Sequence, residues 1–332
     1  MRHEVITNST AVPIDHALRG RQAWTRNDLQ ERDWRVVLSA TALDEIRAIA
    51  TILDKQPVPL LALRPDSFDM PACQDAMRRV SDIIKDGVKF ALVERLPIEE
   101  LSVDMAKSIY WMLSSMIARP VAQKLDGTMI YDVTDTGAKP LPGSGVRPDK
   151  SNVDLQFHND NAYNLIMPEV VGLLCVRKAA SGGQSRVMSF ATAHNALRER
   201  FAESLPRLYE PFWFDRQREH QTQEDVTFAT PIFINDGGRL LARLGQHQIR
   251  NGYALKGGMD DRTKEAIAAI DAVFRDPALQ FEFDMQAGDM QFAANCEVGH
   301  SRTEFTDQPD MEKKRLLVRL WLRDTGSPGY VG

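Results

Sequence analysis

Hydrophobic residues in the first third of the chain recur at helical spacing. One predicted helix begins at Thr41 and a second at Pro97, since apolar residues then follow three and four positions apart. The two apolar stripes are Leu43, Ile46, Ile49 and Ile52, and Met105, Ile109, Met112, Leu113 and Met116. Short apolar runs at 34–38 and 88–93 predict strands. The methionine-rich stripe is interpreted as core packing rather than as a cofactor site.

From residue 157 onward, short apolar runs alternate with turn residues. Two pairs of runs flank glycine-containing turns and predict hairpins. The pairs are 170–177 with 184–189 around Gly182-Gly183, and 232–234 with 240–243 around Asn235-Asp236-Gly237-Gly238. Helices are predicted from Thr192 and from Asp260. Many short strands with a few covering helices favour an α+β fold with a jelly-roll (double-stranded β-helix) core.

The chain is divided into an N-terminal extension, residues 1–85, and a jelly-roll domain, residues 86–332. The extension is expected to pack on the core, so that the two parts form one structural unit. The stretch 134–152 is rich in Gly, Pro, Asp and Ser and predicts a long loop. Loops of this length without structure of their own often cover binding sites, so this one is a candidate lid.

Composition narrows the class of partner. The 332 residues are 43% hydrophobic and 26% charged, as in globular enzymes, and a net charge of −5 gives no basic field for nucleic acid. No apolar run approaches the roughly 20 residues that span a bilayer, and the N-terminus lacks the apolar core of a signal peptide. Three widely separated cysteines fit reduced thiols in the cytoplasm. The expected partner is a small molecule, and homo-oligomer formation stays open.

Three residues form the strongest candidate for a chemical site. His158 and Asp160 are separated by one residue, and in an extended strand positions i and i+2 point to the same face. His300 can supply a third ligand from a distant strand. Two histidines and one carboxylate are the facial triad that binds non-haem Fe(II) and leaves three coordination positions open for a cosubstrate and O₂.

A strand-like run at 314–322 carries two arginines among apolar residues. Alternation divides it into Arg315, Leu317, Arg319 and Trp321 on one face and Leu316, Val318, Leu320 and Leu322 on the other. Arginines on such a face are costly to bury unless an anion meets them. A dicarboxylate cosubstrate is one such anion, and a structural ion pair with Asp or Glu is the alternative.

Five short motifs occur in the order and approximate spacing of a known family. They are Phe157-His158-Asn159-Asp160, Gly182-Gly183-Gln184-Ser185, Ala287-Gly288-Asp289-Met290-Gln291-Phe292, His300-Ser301-Arg302-Thr303-Glu304-Phe305 and Arg315-Leu316-Leu317-Val318-Arg319-Leu320-Trp321. As a set they resemble the taurine dioxygenase-like family of Fe(II)/2-oxoglutarate-dependent oxygenases, which has a clavaminate synthase-like fold. The resemblance covers roughly residues 90–325 and implies that His158, Asp160 and His300 bind iron.

The same resemblance implies roles for other residues. Arg315 would form a salt bridge with the distal carboxylate of 2-oxoglutarate, and Ser185, where the family often has Thr, would help to hold it. Asp154 and Arg319 are candidates for substrate contacts. Independently of the resemblance, Arg302 lies two residues after His300 on the same face of a strand, so it can reach either the site or a neighbouring carboxylate. A zwitterionic or anionic substrate would suit such a pair of charges. The alternative is that Asp154 and Arg319 pair with each other or with neighbours.

The implied function is that of a dioxygenase that hydroxylates a small polar substrate and releases succinate and CO₂. Asp160 favours hydroxylation, or desaturation or oxidative cleavage by the same oxidant, over halogenation, since related halogenases carry a small residue in its place. Two alternatives stay open: a non-catalytic jelly-roll sensor of metal or 2-oxoglutarate, and a cupin-type metal enzyme without a cosubstrate. Among the other histidines, His247 is a second candidate ligand, interpreted as a polar hairpin residue, and His194 is expected to be exposed.

Overall fold

The computed structural model of the chain describes residues 12–137 and 150–331. The middle of the predicted loop at 134–152 therefore lies outside the described residues. Seven α-helices occur in the described part, several of them preceded by a side chain that caps the first turn. In chain order they are α1 (Glu31–Trp34), α2 (Ala40–Lys55), α3 (Pro71–Asp86), α4 (Val103–Ser115), α5 (Phe190–Arg200), α6 (Gln246–Leu255) and α7 (Asp261–Phe274).

The strands are short and mostly antiparallel. In chain order they are β1 (Arg35–Val37), β2 (Phe90–Glu94), β3 (Pro120–Val121), β4 (Ile130–Val133), β5 (Leu155–His158), β6 (Val170–Arg177), β7 (Ser181–Gly182), β8 (Ser185–Ser189), β9 (Pro211–Asp215), β10 (Thr227–Pro231), β11 (Phe233–Asp236), β12 (Arg239–Ala242), β13 (Phe281–Phe283), β14 (Met290–Ala294), β15 (Val298–Arg302), β16 (Phe305–Thr306) and β17 (Leu316–Leu322).

Two sheets form the jelly-roll. The larger runs in the order β1-β2-β14-β6-β17-β3, with β4 also paired to β17, and the smaller runs β13-β8-β15-β5. Phe90 of the larger sheet packs against Val187 and Val298 of the smaller one, so the two sheets face each other across an apolar layer. The α+β jelly-roll predicted from the short apolar runs is therefore the observed fold.

Helices cover the outer face of the larger sheet. Strand alternation sends Phe90 toward the other sheet, whereas Ala91 and Val93 contact the layer built by α2, α3 and α4. The side chains of Ile46 and Met77 are fully buried in that layer. Strand β1, from the N-terminal extension, pairs in parallel with β2 and so joins the larger sheet. The N-terminal helices and the sheet thus share one hydrophobic core.

Several predicted elements are confirmed. The helix expected from Thr41 begins one residue earlier, with the Ser39 hydroxyl accepting the backbone N–H of Ala42. The hairpin around Asn235-Asp236-Gly237-Gly238 joins β11 to β12. The helix expected at Asp260 is α7, and the Asp260 side chain accepts the N–H of Thr263 as its N-cap.

Other predicted elements are wrong, and long-range contacts explain why. The hairpin expected around Gly182-Gly183 does not form, because β6 belongs to the larger sheet and β8 to the smaller one. The helix expected from Pro97 is interrupted: a 3₁₀ turn covers Ile98–Glu100, and Ser102 then caps α4. Ser189, not Thr192, caps α5.

Candidate metal and cosubstrate site

The pairing of two strands in the smaller sheet brings two histidines together. Strand β15 runs antiparallel to β5, and His300 is directly opposite His158. Cross-strand neighbours on one face of a sheet are close enough to share a ligand. Their ring centroids are 4.4 Å apart, and their Nε2 atoms lie 3.7 Å (His158) and 3.8 Å (His300) from the same Asp160 Oδ1.

Asp160 reaches the histidines from a turn rather than from a strand. Strand β5 ends at His158, so the prediction that His158 and Asp160 share one extended strand is wrong. A buried asparagine holds the Asp160 backbone instead: Asn295 Oδ1 accepts the Asp160 N–H at 2.9 Å, and Asn295 Nδ2 donates to the Asp160 carbonyl at 2.9 Å. Asn161 then adopts a left-handed conformation with φ 58°, which asparagine tolerates better than most residues.

Strand β17 of the larger sheet supplies donors to the Asp160 carboxylate. Trp321 Nε1 donates to Oδ2 at 2.7 Å, and Arg319 Nη1 lies 3.4 Å from Oδ1. Gln123 orients the arginine, since its Oε1 accepts from Arg319 Nε at 2.8 Å. The two oxygens therefore differ: Oδ2 is held by the indole, whereas Oδ1 faces both histidines.

The site is arranged for ionised carboxylate and unprotonated imidazole. Burial alone would raise the pKa of the Asp160 carboxyl, but the Arg319 cation and the two imidazoles outweigh burial and hold that pKa below its ordinary range. Burial, and then the neighbouring His300, lowers the pKa of His158 to about 4. His158 Nδ1 donates to the Gln156 carbonyl at 2.9 Å, which leaves Nε2 with its lone pair toward Asp160.

These residues fit an iron(II) ion. One donor atom from each of His158, Asp160 and His300 lies within 4.8 Å of the other two, and the described part of the chain contains no other such group of His, Cys, Asp and Glu. Two imidazoles and one carboxylate suit a divalent transition metal, and a three-residue set leaves room for exogenous ligands. His247, the alternative candidate, is not part of this group.

A cavity of about 60 Å³ extends from the three candidate ligands between the two sheets. Its wall includes Arg315, Ser185 and Gln291. Arg315 is only 5% exposed, and no carboxylate of the described residues lies within ion-pair distance of its guanidinium. Burial lowers the pKa of Arg315. A buried cation without a counter-ion is costly, so this cavity is built to receive an anion.

Two glycines make space beside Arg315. At Gly183, where φ is 78°, a Cβ would lie 3.3 Å from Arg315 Nε, and at Gly182 it would lie 2.2 Å from the Glu304 carbonyl oxygen. The contact at Gly182 is too short for any side chain, the one at Gly183 would require Arg315 to shift slightly, and both φ values favour glycine. The Gly182-Gly183 motif therefore lets the chain cross closely behind the arginine as it passes from one sheet to the other.

A second cavity, of about 210 Å³, opens on the other side of the candidate ligands. Asp154 lines it, and the Asp154 carboxylate accepts from Arg186 Nη2 at 2.6 Å. Arg319 lines both cavities. Asp154 and Arg319 thus pair with different partners rather than with each other. Arg302 lines the smaller cavity and donates to the carbonyls of residues 151–153.

His194 and His247 occupy positions that differ from the predicted ones. His194 is fully buried rather than exposed, and its Nε2 is 2.8 Å from the Tyr209 hydroxyl. His247 is at the start of α6 rather than in a hairpin, and it lines the larger cavity.

The sequence gives no local signal for Asn295 or Gln123, the two residues that orient Asp160 and Arg319. Strand alternation places Trp321 on the same face as Arg315 and Arg319, and in the structure its indole N–H also donates to Asp160.

Comparison with known proteins decides the family. Over residues 58–321 the sequence matches the family described as "Taurine catabolism dioxygenase TauD, TfdA family". The chain belongs to this family. It is a dioxygenase of the type that uses iron and 2-oxoglutarate, as the five sequence motifs indicate.

Two relatives of known name match most of the chain. FR-33289 synthase of Streptomyces rubellomurinus (strain ATCC 31215) is 23% identical over 308 residues, which are 91% of this chain and 89% of the relative. Taurine hydroxylase-like protein SAT17 of Stachybotrys chartarum (strain CBS 109288 / IBT 7711) is 24% identical over 322 residues, 93% of this chain and 80% of the relative.

Solved structures share the fold. An asparagine oxygenase in complex with Fe(II), 2S,3S-3-hydroxyasparagine and succinate is similar, with a TM-score of 0.63 and 18% identity over 88% of this chain and 94% of that one. The non-haem iron oxygenase OrfP with Fe and α-ketoglutaric acid has a TM-score of 0.62 and 15% identity over the same shares. In the described part of this chain, no helix is both long and apolar enough to cross a bilayer.

Proposed function

We propose that His158, Asp160 and His300 bind Fe(II), that Arg315 and Ser185 hold 2-oxoglutarate, and that the enzyme hydroxylates a small polar substrate. The observation that carries the assignment is the buried Arg315 guanidinium, which has no carboxylate partner among the described residues and lines a cavity that also contains the three candidate ligands. A dicarboxylate is the type of anion that can meet this arginine at one end and a metal at the other.

With both groups bound, iron and 2-oxoglutarate together activate O₂ and provide the oxidising power for hydroxylation of a C–H bond. The residues of this chain hold and orient those groups. Trp321 and Arg319 fix the Asp160 carboxylate, and Asn295 fixes the Asp160 backbone. The apolar walls Leu173 and Leu317 exclude water from the cosubstrate cavity.

The substrate class is proposed from the larger cavity and from the structural neighbours. The larger cavity lies beside the candidate ligands and is lined by several side-chain amides, among them Gln156 and Gln217. The asparagine oxygenase structure contains a hydroxylated asparagine, and an OrfP structure contains succinate and (3S)-hydroxy-L-Arg. We infer a free amino acid, or a small polar molecule similar to one, as the substrate. Asp154 and Arg319 are proposed to contact its charged groups.

An anaerobic titration tests the proposed function against its two alternatives. Fe(II) and 2-oxoglutarate should together give a weak visible charge-transfer band, and admission of O₂ should then produce succinate. A sensor would give the band without succinate, and a cosubstrate-free metal enzyme would give neither. His300→Ala should abolish both signals, while His220→Ala, at a half-buried position that lines neither cavity, should preserve them. Full succinate production by His300→Ala would refute the ligand assignment.

We also infer a reducing, cytoplasmic location from the cysteines. Cys73, Cys175 and Cys296 are all free thiols in the described part of the chain, and burial raises the pKa of Cys296 to about 11. Cell fractionation tests this inference, and recovery of the enzyme from a secreted fraction would refute it.

A further inference from the structure

The larger cavity has a wall made by the first residues of helix α6. Gln246, His247 and Gln248 all line it, and α6 extends from Gln246 to Leu255. The segment Gly245–Gln248 is not part of the candidate metal site or of the cosubstrate cavity. If the proposed function holds, this segment faces the substrate, so its hydrogen-bonding groups indicate which substrate fits.

Gln246 contributes an acceptor. Its side chain is 5% exposed, and its Oε1 has no hydrogen-bond partner among the described residues. A buried carbonyl oxygen without a donor is energetically costly, so such a group normally has a partner. A donor N–H on a bound molecule would remove this cost.

His247 contributes a donor, because a neighbour fixes the position of its proton. The NH₂ group of Asn251 lies 3.4 Å from Asp215 Oδ2 and 3.2 Å from His247 Nε2. The carboxylate can only accept, which orients the Asn251 amide with its NH₂ toward both groups. His247 Nε2 is then an acceptor, and the ring proton lies on Nδ1. Among the described residues, Nδ1 has no partner, so it is available to donate to a bound molecule.

The charged side chains beside this segment already have partners. Asp154 is paired with Arg186, and Arg319 contacts Asp160 and Gln123. The α6 side chains that line the cavity, Gln246, His247 and Gln248, carry amide and imidazole groups rather than carboxylates or ammonium groups, and among them Gln246 offers an acceptor and His247 a donor. Recognition at this wall is therefore recognition by hydrogen bonds rather than by charge.

We propose that Gln246 and His247 bind a carboxamide or similar amide-type group of the substrate. An amide both donates and accepts, so its N–H satisfies Gln246 Oε1 and its carbonyl oxygen accepts from His247 Nδ1. A carboxylate has only acceptors and would leave Gln246 Oε1 without a donor. An ammonium has only donors and would oppose the N–H of His247. Sites that leave a polar group unpaired discriminate strongly against the wrong analogue.

Matched amino acids test this proposal on the Fe(II)-loaded enzyme with 2-oxoglutarate. The series compares asparagine with aspartate and 2,4-diaminobutyrate, and glutamine with glutamate and ornithine, so that amide, acid and amine ends have similar sizes. Binding is measured by anaerobic calorimetry and turnover by hydroxylated product. The amide is expected to be favoured by roughly 10- to 100-fold in Kd and in kcat/KM, the scale of one unsatisfied buried group. Equal or weaker use of both amides would overturn the proposal.

Variants of Gln246 and His247 test whether these two residues cause the preference for the amide. His247→Phe should reduce it about tenfold, and His247→Asn, whose Nδ2 can replace the imidazole Nδ1 as donor, should restore part of it. Gln246→Glu should move the preference toward the amine, because it adds a charged acceptor. His220→Phe, at a half-buried position that lines neither cavity, is the control. Each preference is a ratio within one variant, so the fraction of folded protein cancels. An amide preference unchanged in both His247→Phe and Gln246→Glu would refute the assignment.

Succinate formation by the unmodified enzyme without any amino acid is measured separately. Its absence would contradict the proposed oxygenase function itself. Its presence, together with no amide preference, would contradict only the role of Gln246 and His247.

Discussion

Replacing Trp321 by phenylalanine removes the indole N–H that donates to Asp160, a proposed ligand of Fe(II). The indole Nε1 donates to Asp160 Oδ2 at 2.7 Å, and both residues are buried. Phenylalanine keeps an aromatic ring in the same strand, so the packing of β17 changes less than with alanine. Without the indole, Oδ2 loses its short hydrogen bond, whereas Oδ1 keeps its contact with Arg319.

The expected loss follows from the type of hydrogen bond. A hydrogen bond to a carboxylate contributes about 1.5–3 kcal/mol, which corresponds to roughly 10- to 150-fold in an equilibrium constant. Groups that hold metal ligands typically change metal affinity or activity by about 10- to 100-fold. We therefore expect Trp321→Phe to weaken Fe(II) binding by roughly one to two orders of magnitude. Hydroxylation should also become less tightly coupled to 2-oxoglutarate consumption, because Oδ2 is free to turn toward the metal.

Anaerobic calorimetry gives the Fe(II) dissociation constant, and the ratio of hydroxylated product to succinate gives the coupling. Trp213→Phe is the matched control, since Trp213 lies on β9, is 37% exposed and does not line either cavity. Circular dichroism establishes that both variants are folded. Wild-type Fe(II) affinity together with wild-type coupling in Trp321→Phe would refute the role given to the indole.

Three further predictions concern Arg315, Asn295 and Asp289. Arg315→Ala should weaken 2-oxoglutarate binding by about 2–4 kcal/mol, the cost of losing one partner of a buried charge pair, and an unchanged KM would move this role to another arginine. Asn295→Ala should weaken Fe(II) binding, since two hydrogen bonds to the Asp160 backbone are lost; unaltered affinity in calorimetry would contradict this. Burial raises the pKa of Asp289 from 3.8 to about 6, so the folded state favours the protonated carboxyl, and ionisation costs stability as the pH rises from about 4 to 6. Asp289→Asn should therefore raise the free energy of unfolding by about 1–3 kcal/mol above pH 6 and by little near pH 3.5, and an equal gain at both pH values in urea titrations would contradict the argument.

Local patterns predict those parts of the fold that depend on local contacts. The alternation along 315–322 separates Leu317 and Arg319, which line the smaller cavity, from Leu316 and Val318, which enter the core under the helices. The Gly237-Gly238 turn likewise specifies its hairpin, because both residues adopt positive φ. In each case the signal lies within a few residues of the feature that it predicts.

Features that depend on distant partners are not visible in the sequence. Turn residues at Gly182-Gly183 do not reveal that the next strand joins a different sheet. His194 is buried because the Tyr209 hydroxyl lies beside its Nε2, a contact that no periodicity indicates. Strand alternation selects His158 and Asp160 as candidate ligands, but it gives no sign of Asn295. That residue lies 135 positions away and orients Asp160 in the structure. The residue types pointed to the chemistry, but the supporting contacts required the fold.

The position of Arg319 in both cavity walls has a thermodynamic consequence. Arg319 lines both the smaller cavity, proposed to hold 2-oxoglutarate, and the larger one, proposed to hold the substrate, so a molecule that shifts Arg319 in one cavity changes the shape of the other. Binding linkage then requires reciprocity: if 2-oxoglutarate alters the affinity for the substrate by some factor, the substrate alters the affinity for 2-oxoglutarate by the same factor. With the proposed assignment of the two cavities, any coupling between the two binding events is a single free energy, whichever molecule arrives first.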